Sequence, residues 1–190
     1  MTTVVSSVEL ILGGQRSGKS RCAEERARAW LAQPGHEAVL LATAQAHDAE
    51  MRERIARHRV DRAARAPGVS TEEVPCALPE ALRRLGAPHR LLVVDCLTLW
   101  LTNLLMPMHG APLDDGAWEA RLQALCDALS IAPGPVVLVS NEIGLGVSPL
   151  SPEARRFVDA LGQLHQAVAR IASRVTLMVA GLEVNVKGPA

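Results

Sequence analysis

Short apolar runs alternate with longer helical patterns along the chain. Val8–Gly13 is a short apolar run that ends in glycine, which is typical of a buried strand. The next segment, Lys19–Ala32, is rich in Ala, Arg and Glu and predicts a helix that Pro34 and Gly35 stop. Strands that are apolar on both faces and separated by helices indicate a parallel sheet covered on both sides. We therefore expect an α/β fold with a mostly parallel sheet and helices on both faces.

The same alternation continues along the rest of the chain. Strands are predicted at Ala38–Ala42, Val69–Val74, Leu91–Asp95, Val136–Ser140 and Val175–Ala180. Helices are predicted at Asp48–Arg62, Pro79–Leu85, Leu97–Met106, Asp114–Ile131 and Pro152–Ser173. Val175–Ala180 is thus the last predicted strand, and Leu182–Ala190 follows as a short tail. The 190 residues fit one domain, and linkers and repeats are lacking, so we expect a single domain over residues 1–190.

Composition limits both the partners that the protein is expected to bind and the cellular compartment in which it is expected. The 20 Lys and Arg residues balance 20 Asp and Glu residues, so no global field draws the chain onto nucleic acid or anionic lipid. Met1–Val8 has no positive region followed by an apolar run, and no apolar stretch approaches the ~20 residues of a membrane span. The four cysteines are far apart, which favours free thiols in a reducing compartment. We expect a soluble cytoplasmic protein with no nucleic-acid partner.

A glycine-rich loop carries the most specific chemistry. Gly13–Ser20 reads GGQRSGKS and satisfies the pattern G-x-x-x-x-G-K-[ST]. Its glycines let main-chain N–H groups point at phosphate oxygens, and the following helix presents its positive end to the same anion. Lys19 supplies a charge for the β- and γ-phosphates, and Ser20 supplies a hydroxyl to Mg²⁺. Because the loop follows a strand and opens a helix, it predicts a nucleoside triphosphate site.

A second acid is expected at the end of a neighbouring strand to complete the Mg²⁺ site. Asp95 directly follows the apolar run Leu91–Val94, so it is an acid at the end of a predicted strand, as this site requires. A carboxylate at that position needs a cation nearby, which favours the nucleotide site. The alternative is an ordinary strand-end acid or an N-cap for the helix Leu97–Met106.

The helix Asp48–Arg62 is strongly charged and carries a histidine. Met51, Ile55 and His58 lie on one helix face, and arginines surround His58. One interpretation is a solvated surface helix with an incidental histidine. The other is that the arginines hold the triphosphate while a neutral imidazole attacks phosphorus. The remaining histidines are expected to be loop or surface residues, namely His36, His47, His89, His109 and His165.

A loop with two glycines, Ser140–Gly146, follows the buried strand Val136–Ser140. Its sequence is SNEIGLG. Loops at the carboxyl ends of parallel strands are where ligands bind. A turn that merely needs two glycines is an equally good interpretation of the pattern.

Taken together, these segments resemble the bifunctional adenosylcobinamide kinase / adenosylcobinamide-phosphate guanylyltransferase family of cobalamin biosynthesis. The resemblance runs nearly end to end. Its most specific part combines the arginine-rich helix around His58 with the S-N-E-x-G-x-G loop. The segments that carry it are Gly13–Ser20, Ala42–Ala44, Glu50–Arg62, Thr71–Glu73, Asp95–Thr98, Trp100–Leu104, Ser140–Gly146 and Val179–Gly181.

The resemblance implies two reactions. First, ATP or GTP phosphorylates the hydroxyl of the aminopropanol arm of adenosylcobinamide. Second, GTP gives a histidine–GMP adduct and pyrophosphate, and the GMP passes to the phosphorylated corrinoid to form adenosylcobinamide-GDP. The family is similar to the RecA-like branch of P-loop folds and tends to form trimers, with the corrinoid near subunit boundaries.

The resemblance also implies roles for residues of this chain. His58 would be the nucleophile, Lys19 and Asp95 would be further catalytic residues, and Ser20 and Asp95 would bind Mg²⁺. The implied nucleotide-binding residues are Gly13, Gly14, Gln15, Arg16, Ser17, Gly18, Lys19, Ser20, Arg21, Ala42, Thr43, Ala44, Arg59, Val60, Asp61, Arg62, Glu73 and Asp95.

Two other functions fit part of the pattern. A P-loop kinase that phosphorylates a small alcohol would need the loop Gly13–Ser20 but would form no adduct on His58. A nucleotide-dependent switch or assembly module would hydrolyse GTP slowly without a small substrate. Adduct formation on His58 separates the bifunctional enzyme from both.

Overall fold

The structure is a computed structural model that describes residues 7–46 and 49–189, without the side chains of Glu50, Arg54, His58, Arg59 and Arg62. Within these ranges the chain forms seven strands and six helices. The strands are β1 (Val8–Gly13), β2 (Glu37–Ala42), β3 (Val69–Glu73), β4 (Arg90–Asp95), β5 (Val136–Asn141), β6 (Arg174–Val179) and β7 (Leu182–Lys187). The helices are α1 (Lys19–Leu31), α2 (Ala49–Arg65), α3 (Leu78–Leu85), α4 (Leu97–Leu105), α5 (Asp115–Ser130) and α6 (Pro152–Ile171).

All seven strands form one sheet in the order β3-β2-β4-β5-β1-β6-β7. Strands β1 to β6 pair in parallel, and β7 pairs antiparallel to β6. The strand β1 therefore lies between β5 and β6, and β5 separates β1 from β4. Because parallel strands point the same way, the carboxyl ends of β1 to β6 lie at one edge of the sheet.

Helices cover both faces of the sheet, which explains why the strands are apolar on both sides. On one face, the small side chains of Cys22, Ala23 and Ala27 let α1 pack closely on the sheet. On the other face, residues of α3, α4, α5 and α6 form the larger cluster, in which Trp100 is fully buried. The prediction of a mostly parallel α/β fold with helices on both faces is confirmed.

The prediction that Val175–Ala180 is the last strand is wrong, because β7 follows it. Ala180 and Gly181 have φ values of 52° and 83° and connect Val179 directly to its partner Leu182. Two residues with positive φ form the tight turn that matches the twist of a hairpin. The alternation of apolar and polar residues in LEVNVK is the period-two signal of this strand.

The other elements lie within a few residues of their predicted bounds. The largest extension is α2, which continues to Arg65, and Asp48, the first residue of the predicted helix, lies outside the described residues. Asp114 caps α5 by accepting a hydrogen bond from the Ala117 N–H at 2.8 Å. All four cysteines are free, as predicted. In the part of the chain that the structure describes, every helix is too short or too polar to cross a bilayer.

Candidate functional site

Strand register brings predicted site residues from distant parts of the sequence to one edge of the sheet. Gly13, the last residue of β1, pairs with Asn141 of β5. Ala42, the last residue of β2, pairs with Glu73 on one side and Asp95 on the other. The carboxyl end of β5 lies between these two groups. The edge therefore holds the glycine-rich loop and the three strand ends together.

The loop Gly13–Ser20 curls tightly between β1 and α1. Arg16 and Gly18 have φ values of 54° and 103°, so the chain turns in the left-handed region at both positions. A Cβ atom on Gly13 would lie 2.5 Å from Ser17 Oγ and 2.6 Å from the Met178 carbonyl oxygen, which explains why glycine stands there. Lys19, the first residue of α1, is buried, and its Nζ donates to the Gly14 carbonyl at 2.7 Å.

Ser17 lies inside this curl. Its Oγ is buried, and among the described residues no hydrogen-bond partner lies within reach. Buried hydroxyls are nearly always satisfied, so this atom indicates a position that a ligand or water fills.

Ser20 and Asp95 meet at the centre of the edge. Ser20 Oγ donates to Asp95 Oδ2 at 3.3 Å, although the residues are 75 positions apart. The N-cap of α4 is Cys96, without a side-chain cap, so Asp95 does not serve as the cap of that helix. No cluster of three or more His, Cys, Asp or Glu side chains suited to a metal occurs among the described residues. The pair is thus a hydroxyl and a single carboxylate, both hard oxygen donors.

Thr43 ties the end of β2 to the segment after Asp95. Its fully buried Oγ1 donates to the Cys96 carbonyl at 2.7 Å and accepts from the Cys96 N–H at 2.8 Å. The Asn103 amide donates to the carbonyls of Thr43 and Pro75 at 2.8 and 2.9 Å. The threonine hydroxyl is therefore used within the protein, and the segment Ala42–Ala44 is held rigidly beside Asp95.

The helix α2 is attached to α1 near the loop. Arg65 Nη1 lies 3.3 Å from the Oε2 of Glu24, a buried residue one helical turn after Ser20. The same arginine lies 3.6 Å from Asp61. The side chains of His58, Arg59 and Arg62 lie outside the described part of the structure, so their predicted roles stay predictions.

The remaining predicted site residues are exposed or lie at the periphery. Glu73 ends β3 at the same edge, and its side chain is exposed. Arg21 points along α1 and pairs with Glu25 at 3.0 Å. Val60 of α2 is 70% exposed. Gly14, Gln15 and Arg16 form the exposed tip of the loop.

A buried hydrogen-bond network next to the loop was not predicted. His165 Nε2 lies 2.8 Å from Ser140 Oγ, and Ser140 Oγ lies 3.0 Å from Thr98 Oγ1. Thr98 Oγ1 accepts from the Asn141 N–H at 2.8 Å. At the other end of the network, His165 Nδ1 lies 3.4 Å from Glu142 Oε2.

The prediction that His165 is a loop or surface residue is wrong. It lies in α6 and is only 7% exposed. Burial lowers its pKa, although the Glu142 carboxylate beside Nδ1 opposes that shift, so the imidazole is neutral near pH 7. Leu161, Leu164 and Val168 are buried on the same face of α6, and this helical spacing is the sequence signal for the position of His165.

The loop after β5 is not built on left-handed glycines. Gly144 and Gly146 both lie outside the positive-φ region. A Cβ on Gly144 would instead approach Glu142 Oε1 at 3.1 Å, while the Gly144 N–H donates to that oxygen at 2.8 Å. Gly144 thus leaves room around a carboxylate, which favours a chemical interpretation of the loop over a purely conformational one.

A glycine-rich loop that joins a buried strand to a helix at the edge of a mostly parallel sheet defines a P-loop protein. The fold is similar to the crystal structure of a KaiC-like protein from Pyrococcus horikoshii OT3, with a TM-score of 0.51 and 16% identity over 90% of this chain and 70% of that one. The family model described as cobinamide kinase / cobinamide phosphate guanyltransferase matches residues 9–186. The chain therefore belongs to that family.

Curated relatives agree with this assignment. The chain is 49% identical over 180 residues to a bifunctional adenosylcobalamin biosynthesis protein of Pseudomonas aeruginosa, covering 95% of this chain and 97% of the relative. It is 35% identical over 187 residues to a protein of the same description from Escherichia coli, covering 94% and 98%. The resemblance inferred from the sequence is confirmed, and with it the class of enzyme.

The role of Thr43 in shaping the edge is testable through stability. Thr43→Val leaves the buried Cys96 N–H without its acceptor, which costs about 1–3 kcal/mol. Thr43→Ser keeps the hydroxyl and is the matched control. In urea unfolding, we expect Thr43→Val to be less stable than Thr43→Ser by about that amount. Equal stabilities would show that the hydrogen bond does not hold the segment.

Proposed function

We propose that the chain phosphorylates adenosylcobinamide with ATP or GTP and then transfers GMP from GTP to the product through a histidine–GMP intermediate on His58, within one nucleotide-binding domain. Family membership supports the two activities. The main structural support for this site is the contact of 3.3 Å between Ser20 and Asp95, because it joins the phosphate loop to the carboxylate at the end of β4.

The loop supplies the binding energy for the triphosphate. Its main-chain N–H groups and the N-terminal end of α1 provide fixed partial positive charge for phosphate oxygens. Lys19 adds a full charge beside them. The buried Ser17 hydroxyl gains an acceptor when a phosphate oxygen fills the curl. Together these groups neutralise part of the charge of the triphosphate.

The donor set at Ser20 and Asp95 fits Mg²⁺, which prefers a few hard oxygen ligands and retains the rest of its shell from water and phosphate. Ser20 Oγ and the Asp95 carboxylate would hold the ion. When bound, Mg²⁺ supplies charge to the phosphate oxygens.

In the first reaction, the corrinoid hydroxyl oxygen bonds to the γ-phosphorus, and the bond to the β–γ bridging oxygen breaks. The nucleoside diphosphate leaves with that electron pair. The protein acts by placement and by electrostatic stabilisation, because most of the reacting charge already sits on phosphate oxygens. Within the loop, Lys19 supplies positive charge that stabilises these phosphate oxygens.

In the second reaction, the imidazole of His58 bonds to the α-phosphorus of GTP and pyrophosphate leaves. The phosphate of the phosphorylated corrinoid then displaces the imidazole and takes the GMP. The ion pair between Arg65 and Glu24 supports this proposal, because it attaches α2 to the helix that follows the loop. His58 precedes Arg65 by about two helical turns, or about 10 Å along α2.

We also propose that the chain assembles as a homotrimer. Four apolar side chains of the loop after β5 are exposed, at 41% for Ile143, 83% for Leu145, 97% for Val147 and 96% for Leu150. The edge strand β7 exposes Leu182, Val184 and Val186 as well. Apolar surface of this extent is typical of an interface between subunits.

Lys19→Ala should abolish measurable triphosphate binding, because it removes the buried ammonium group at the start of α1 that faces the phosphates in the proposed site. The other lysine of the chain, Lys187, is exposed on β7, so Lys187→Ala is the matched control. Titration calorimetry with Mg²⁺ and GTP measures the affinity, and circular dichroism checks the fold. Retained affinity in a folded Lys19→Ala protein would contradict the assignment of the loop.

Incubation with GTP labelled at the α-phosphate should give a protein adduct that is labile in acid and stable in base. His58→Ala should lose the label completely, since no other group replaces the nucleophile. His89→Ala is the control, because His89 is half exposed and pairs with Glu37 away from the loop. A labelled His58→Ala protein would show that another residue carries the adduct, whereas an unlabelled wild type would leave only the simple kinase.

Light scattering should give a mass about three times the 20.3 kDa of the chain. The double variant Leu145→Asp, Val147→Asp should lower that mass, because charge would enter the interface. Ile131→Asp, at a residue 69% exposed at the end of α5, should not. A monomeric wild type at micromolar concentration rules out the trimer.

A further inference from the structure

In the buried hydrogen-bond network at His165, only one assignment of donors and acceptors is consistent with all the contacts. Because the Glu142 carboxylate accepts, His165 Nδ1 must carry the proton, and the Nε2 of the neutral ring must accept from Ser140. Ser140 then accepts from the Thr98 hydroxyl, which itself accepts from the Asn141 N–H. Each hydroxyl donates once and accepts once. The chain of hydrogen bonds therefore ends on Glu142.

This arrangement holds the carboxylate of Glu142 from two sides. The Gly144 N–H donates to Oε1 at 2.8 Å, and His165 Nδ1 faces Oε2 at 3.4 Å. The side chain is nevertheless 22% exposed, whereas that of His165 is 8% exposed. Glu142 is thus held by one buried donor, His165, and one main-chain donor of the exposed loop, and its carboxylate is still accessible from outside.

Glu142 also lies at the right place along the edge. Its N–H donates to the Gly13 carbonyl at 3.0 Å, so it adjoins the first residue of the phosphate loop. It follows β5, which separates the loop strand β1 from β4 and Asp95. A group at this position lies between the two parts of the proposed triphosphate site.

We propose that Glu142 accepts the proton of the corrinoid hydroxyl during phosphorylation, and that His165 is the positioning residue that holds its carboxylate. This inference rests on the kinase step of the proposed function. The hydroxyl oxygen bonds to the γ-phosphorus, and its O–H electron pair remains on oxygen. The proton moves to the Glu142 carboxylate and then to water, while the nucleoside diphosphate leaves with the electrons of the broken P–O bond.

The second reaction does not need this base. A phosphate monoester is already largely ionised at neutral pH, since its second pKa is about 6, so the phosphorylated corrinoid has no hydroxyl proton to remove before it attacks. Formation of the His58 adduct begins from a neutral imidazole and likewise needs no carboxylate at Glu142. Loss of Glu142 should therefore affect one reaction of the enzyme and spare the other.

The first test compares Glu142→Gln with Glu153→Gln, an exposed residue of the first turn of α6. Phosphorylation of adenosylcobinamide and GMP transfer to its phosphate are measured separately on each protein. Removing a general base costs about 10²- to 10⁴-fold. We expect kcat for phosphorylation to fall at least about a hundredfold in Glu142→Gln, with GMP transfer and adduct formation close to wild type and Glu153→Gln unchanged in both.

Two outcomes overturn the role of Glu142: unchanged phosphorylation, or an equal fall in both reactions. The latter would show that the residue supports the site as a whole. If the wild-type protein itself fails to phosphorylate adenosylcobinamide, the proposed function fails first, and the inference fails with it. The two failures are distinguishable, because the first is seen in the variant and the second in the wild type.

The second test separates the two nitrogens of His165. His165→Asn retains a donor near the position of Nδ1, whereas His165→Gln places its amide near Nε2 and gives up the donor to Glu142. Misplacing a catalytic group by about 1 Å can cost 10²-fold. We expect kcat for phosphorylation to fall about tenfold to a hundredfold in His165→Gln and clearly less in His165→Asn, with the KM for adenosylcobinamide little changed. Equal losses in kcat overturn the positioning role.

NMR spectroscopy tests the direction of the hydrogen-bond network directly, without an activity assay. In ¹⁵N-labelled protein, the His165 resonance is assigned by its absence from His165→Asn. We expect the shifts of a neutral ring protonated at Nδ1. A ring protonated at Nε2 would reverse the network, leave Glu142 without its donor and overturn the proposal.

Discussion

The parallel pairing of β1 between β5 and β6 is the constraint on which the site depends. Main-chain hydrogen bonds fix the register of Gly13 against Asn141 and Met178, so the phosphate loop begins at a defined place on the sheet edge. The same register, carried across β5, places Asp95 within reach of Ser20. Side chains from three separate segments meet there because the strands point the same way.

Much of this arrangement could be predicted from local sequence. A strand, a glycine-rich loop and a helix are contiguous at residues 8–31, so one motif specifies both the local structure and its chemistry. The role of Asp95 is also predictable, because a carboxylate at the end of an apolar strand needs a cation nearby. The partners of Thr43 could not be found in this way, because the hydrogen bonds to Cys96 and Asn103 depend on tertiary packing.

His165 and β7 show two different reasons why sequence reasoning failed. His165 is a polar residue on the buried face of α6, and its partners Glu142 and Ser140 lie 23 and 25 positions earlier in the chain. Its burial could therefore be inferred from the spacing, but its partners could not. The signal for β7 is local, since six residues alternate between apolar and polar after a turn, but all six are exposed. Edge strands that expose most of their surface give a weak hydrophobic pattern.

The hydrogen bond of 2.7 Å between Lys19 Nζ and the Gly14 carbonyl has a further consequence for nucleotide binding. A buried ammonium group without compensation would distort its surroundings, whereas this one is satisfied by the backbone of its own loop. On nucleotide binding, Lys19 would exchange the Gly14 carbonyl for a charged phosphate oxygen, which is a stronger acceptor. The conformational entropy of the loop is already lost when the protein folds. Ordering the loop therefore offsets less of the contact energy with the nucleotide, and the affinity is higher.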